Sequence, residues 1–189
     1  MLSELANSAK NTITNILTDA ADVVAATRDA AKKTVVDTIK GAGEATTSAM
    51  DVIADVVSGG AAAASQSVKS TTDGVAGVVE GAVDAAQEVG ASVVEAIEKS
   101  AEKAIEGVQD VGGDLGEAAV GAVQGTIKAA SDVQMSATDA GTKAVVSVIH
   151  AADKIGSEAG GVVRKALLSA AALPREIIEA AIGTADKKE

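Results

Sequence analysis

The chain has one histidine, His150, and no Cys, Phe, Trp or Tyr. Without Cys there are no disulfides, thiol nucleophiles or Cys-based zinc sites, and the composition fits any redox compartment. His150 has no second His or Cys to complete a transition-metal site, and reads as a solvated surface residue. The acids Glu98, Glu102, Glu106, Asp110 and Asp114 recur every four residues, which puts them on one side of a helix. Such a row could attract Ca²⁺ or a cationic partner, but no calcium-loop pattern accompanies it, so it reads as a solvated acidic face. The Gly-rich segments GVAGVVEG and GAVQG lack the Lys-Ser/Thr of a phosphate-cradling loop. Gly121 and Gly125 form a GxxxG, which permits close helix approach. No Ser-His-Asp set can be assigned without a pocket to hold it. The expectation is therefore no catalytic residue, no cofactor, no metal and no small-molecule substrate: the chain is not an enzyme.

The dominant pattern is an eleven-residue repeat that keeps its phase throughout. Steps of eleven from Ala9 reach Ile53, Ile97, Val108 and Val163 and meet no charge; steps from Asp73 reach Asp84, Glu95, Glu106, Glu117, Lys128, Asp139 and His150. Eleven residues close three turns at about 3.67 per turn, near the natural 3.6, so apolar and polar stripes run straight along a long helix. The apolar columns occupy an arc of roughly 130°. The predicted assembly or lipid face comprises Ile13, Val24, Val35, Ile53, Val57, Val68, Val79, Val94, Ile97, Ile105, Val108, Ile127, Val145, Ile149, Val163, Leu167 and Ile178. A weaker spacing of 33 aligns Gly41, Gly74 and Gly107.

Breaks can fall at Gly59-Gly60, Gly112-Gly113 and Gly160-Gly161. With turns there, the chain is a bundle of folded-back helices; without them, it is one helix with soft points. The unbroken phase favours the continuous helix. The expected fold is all-α: a very long amphipathic helix over 1–173, extended or bundled rather than globular. Pro174 removes a backbone donor and clashes with the preceding turn, so a short helix over 175–182 and a charged tail follow in 174–189. A fully continuous helix would span about 280 Å at about 1.5 Å per residue. The chain contains 19 Gly, each costing about 1 kcal/mol relative to Ala. Such a helix must be stabilised by whatever its apolar face contacts.

Net charge is −11. That disfavours nucleic acid, which requires clustered Lys and Arg, and electrostatic docking on anionic membranes. Residues 73–117 hold eleven acids and two bases, whereas the stretch from 143 onward is near neutral. No basic segment leads into a continuous apolar stretch at the start, so no signal peptide is expected. No apolar run reaches the length of about 20 residues that a transmembrane helix needs. The compartment is left open.

The eleven-residue columns, with segments such as TTDGVAGVVEGAVDAAQEVG, resemble the amphipathic repeats of perilipins and synucleins. The late-embryogenesis-abundant proteins of desiccation tolerance share the period. The resemblance implies a helix that coats lipid or protects surfaces. The leading expectation is a structural protein whose apolar face drives side-by-side self-assembly into a homo-oligomer, sheath or filament. Coating of a neutral-lipid surface and stress protection are the alternatives.

Overall fold

The structure, a computed structural model, describes residues 3–19, 21–41, 48–67 and 70–185. Among them are nine α-helices and no strand: α1 (Glu4–Asp19), α2 (Val23–Gly41), α3 (Ala49–Gln66), α4 (Thr71–Glu88), α5 (Val93–Asp110), α6 (Leu115–Asp132), α7 (Ala137–Ile155), α8 (Ser157–Ser169) and α9 (Arg175–Ala185). The expected continuous helix is thus corrected to a folded-back bundle. An 18-residue helix such as α4 spans about 27 Å, against about 280 Å for the rod.

The turns explain how folding back preserves an eleven-residue phase. Helices α3 to α7 begin at 49, 71, 93, 115 and 137, every 22 residues. One helix plus one four-residue turn consumes two elevens, so each unit restarts in phase. The starts of α4 to α7 are each marked by a side-chain cap. The side chains of Ser70, Ser92, Asp114 and Ser136 accept the backbone N–H of Asp73, Glu95, Glu117 and Asp139 at 3.0–3.3 Å. Those bonds satisfy amides that the first helical turn leaves open. The acids in the same turn oppose the positive end of the helix dipole.

The ends of α4, α5 and α6 are equally regular. Gly90, Gly112 and Gln134 take φ of 71°, 70° and 55°. Behind them the N–H groups of Ala91, Gly113 and Met135 donate back to the carbonyls of Ala86, Val108 and Ala130 at 2.8–3.0 Å. This is the left-handed helix stop that glycine makes easily. Of the Gly pairs, only Gly112-Gly113 lies at a turn; Gly59-Gly60 is inside α3 and Gly160-Gly161 inside α8. The 33-residue spacing is one and a half units, so it matches no structural repeat.

Helices two apart in sequence lie side by side. One layer runs α1, α3, α5, α7, α9 and the other α2, α4, α6, α8, with successive helices packed across the layers. This is the nearest-neighbour organisation of a helical repeat array. The interlayer core is aliphatic, with Ile13, Ile53, Ile97, Ile105, Ile149, Leu167 and Ile178 fully buried among Ala and Val. Small residues let helices in a layer approach closely. A Cβ on Gly81 would overlap the Arg28 carbonyl oxygen, and one on Gly125 that of Ala76. No helix among the described residues is long and apolar enough to cross a membrane.

Candidate functional site

The predicted apolar face is spread over all nine helices. Thirteen of its residues are buried in this chain's own core: Ile13, Val35, Ile53, Val57, Val79, Ile97, Ile105, Val108, Val145, Ile149, Val163, Leu167 and Ile178. Val24 and Ile127 are half-buried, Val94 is exposed, and Val68 lies outside the described residues. The stripe is therefore met first by neighbouring helices of the same chain.

The acidic row is divided. Glu98, Glu102, Glu106 and Asp110 lie on α5, whereas Asp114 caps α6. Most of the row is already engaged: Lys143 of α7 donates to Glu98 at 3.1 Å, Lys154 to Glu102 at 2.7 Å, and Lys103 pairs with Glu106. Lys154 holds the Glu102 carboxyl below its ordinary value, and Glu102 raises the Lys154 ammonium in return. His150 is half-buried in the groove that this row shares with Met50 and Ser147. Among the described residues no group of three or more His, Asp or Glu is arranged to hold a metal ion. The Gly-rich segments lie within helices, and Gly121 and Gly125 seat α6 on α4.

A second charged cluster escapes sequence reading. Arg28 of α2 reaches across to α4, where its Nε and Nη2 donate to Asp84 Oδ2 at 2.8 and 2.5 Å. It also lies 3.2 Å from Glu80 Oε1 and 2.7 Å from Asp132 of α6. Glu80 and Asp84 are only 6% and 5% exposed, and Glu80 Oε2 and Asp84 Oδ1 have no hydrogen-bond partner among the described residues. Burial pushes the Glu80 carboxyl above its ordinary value, with Arg28 and Lys128 opposing the rise. The hydrogen bond to Asp84 raises the Arg28 guanidinium. The polar column assigns Asp84 to a solvated stripe; the structure buries it, because α2 and α6 flank α4 on both sides. The available signal is the spacing of Glu80 and Asp84, one helical turn apart in an otherwise apolar Gly-Val-Ala segment.

The unpaired apolar surface is at the other end of the array. Ile155, Val162 and Leu168 are exposed, Val162 and Leu168 to nearly half of their areas at 47% and 49%. Val162 separates two grooves. One is lined by Leu115, Ile155 and Ala159, the other by Gly116, Val120 and Ala166. No protein-family model matches the chain, and no curated protein matches it.

Proposed function

We propose that this chain is a non-enzymatic structural protein that assembles with copies of itself. The observation that carries the reading is the exposed apolar surface around α8. Among the described helices, α8 and α9 have an in-layer neighbour on one side only, and three of the four exposed large hydrophobic side chains of the described residues lie in or beside α8. Interior helices such as α4 and α5 are covered on both sides by neighbours two places away. Because the long apolar stripe is already used within the chain, assembly proceeds through ends rather than along helix flanks. The reading needs no cofactor, substrate or nucleic acid. Sedimentation velocity over a concentration series tests it. The expected result is a mass that rises above the 18.4 kDa of one chain in buffer alone.

A second reading is reversible coating of neutral lipid. It is favoured by the aliphatic composition of the buried faces, which would form a continuous amphipathic surface if the layers parted. A chain that stays monomeric in buffer and floats with a neutral-lipid emulsion would select this reading.

A further inference from the structure

We infer that two copies of this chain pair through their C-terminal ends, α8 packing antiparallel on α8, to give a closed dimer rather than an open filament. The inference rests on the self-assembly reading and adds where the contact lies and why it closes.

Charge is segregated along the chain. Residues 41–117 hold 14 acids and three bases and so carry the whole net charge of −11, whereas residues 118–189 hold eight of each. Contacts between copies through the acidic body bring like charges together, at a cost that salt only partly screens. The C-terminal end, like the first 40 residues, carries no net charge, so two copies meet there without net repulsion. It is also where the exposed apolar side chains cluster.

The α8 surface is self-complementary. Glu158 and Lys165 are both exposed and, seven residues apart, share one helix face. They flank Gly161 and Val162, also exposed. A two-fold axis near Val162 sets each Glu158 against Lys165 of the other copy and buries Val162 against its equivalent. Leu168 lies on the adjoining side of the same face. A Cβ at Gly161 would meet nothing within 4 Å, so the backbone there is open to close approach. An interface in which the same patch serves both copies is the closed, isologous kind.

The opposite end is closed to a helix. Gly77 and Gly81 seat α4 on α2, and Gly121 and Gly125 seat α6 on α4. Forty-four residues before Gly77 and Gly81, α2 carries Lys33 and Asp37, exposed and paired with each other at 2.5 Å. In the other layer Gly59 approaches Ala6, and the position 44 residues earlier is the exposed Asn15. Head-to-tail growth would have to bury Lys33 and Asp37 where interior helices use glycine.

The test is sedimentation velocity of the full chain and of surface variants, with circular dichroism to confirm unchanged helicity. Wild type is expected to reach twice the monomer mass and stop. Lys165→Glu and Glu158→Lys should each weaken dimerisation by about tenfold or more, since each creates two like-charge contacts, and the double variant should restore it. Val162→Glu should give monomers. A dimer that tolerates Val162→Glu and both single reversals would overturn the α8 contact but leave self-assembly standing. Open-ended growth would overturn the closed pair alone. A wild-type chain that is monomeric at every concentration would overturn both this inference and the reading beneath it.

Discussion

At the scale of single residues, the Arg28 cluster has the largest electrostatic leverage. Two buried carboxylates and Asp132 share one guanidinium. Removing the cation leaves Glu80 and Asp84 buried without it, so Arg28→Met should destabilise the fold by about 3 kcal/mol or more, measured by urea unfolding. Glu80 also sets a pH dependence. Its folded carboxyl binds a proton more tightly than the unfolded one because burial penalises the charge. Between the ordinary carboxylate value and the raised folded value the native state holds more protons, so this group's contribution grows as pH falls. Glu102 acts in the opposite sense. Lys154 lowers its folded value, and the stabilisation, complete above the unfolded value, is lost as pH falls through the folded one. Glu80→Gln, which removes the charge and keeps the shape, should raise the melting temperature at pH 7 and remove the gain just above the carboxylate range. An unchanged pH profile in thermal melts would show that Glu80 is solvated.

At the scale of elements, two glycines in helices give opposite forecasts. Gly125 touches the backbone of Ala76, so Gly125→Ala overpacks the α4–α6 contact and should cost about 1–3 kcal/mol. Gly161 is exposed with open space around it, so Gly161→Ala should stabilise α8 by up to about 1 kcal/mol. Chemical denaturation of the pair separates steric seating from helix propensity. Ala119 is fully buried in α6, and Ala119→Leu should likewise cost about 1–3 kcal/mol. Losing a cap is milder: Ser92→Ala should cost about 1 kcal/mol. Much of this level is legible in the sequence. Ser70, Ser92, Asp114 and Ser136, each followed three residues on by an acid, mark four helix starts. The column from Leu2 carries Gly90, Gly112, Gln134 and Gly156, four candidate stops 22 residues apart. Counting by eleven hides both, because every second member of these columns lies inside a helix and looks like an exception.

At the scale of the whole molecule, the difference between a rod and a stack is one of size. A single copy should have a radius of gyration of about 16–20 Å by small-angle scattering, whereas a continuous helix of about 280 Å would give roughly 80 Å. Values near the larger figure would mean that the helices do not fold back. The sequence by itself determines that the chain is helical, that Ala, Val and Ile form one stripe, and that the net negative charge lies within residues 41–117. These follow from local periodicity and composition, which act on neighbours in the chain. It does not determine what the stripe meets. A continuous helix and a stack of 22-residue units have the same period, so periodicity cannot separate them. The tertiary structure decides, because left-handed turns at Gly90 and Gly112 reverse the chain and Gly81 and Gly125 let alternate helices touch. Once the chain can turn, its own helices cover the stripe, since tethered partners are present at far higher effective concentration than separate copies. The same packing encloses Glu80 and Asp84 and leaves Val162 and Leu168 exposed on α8.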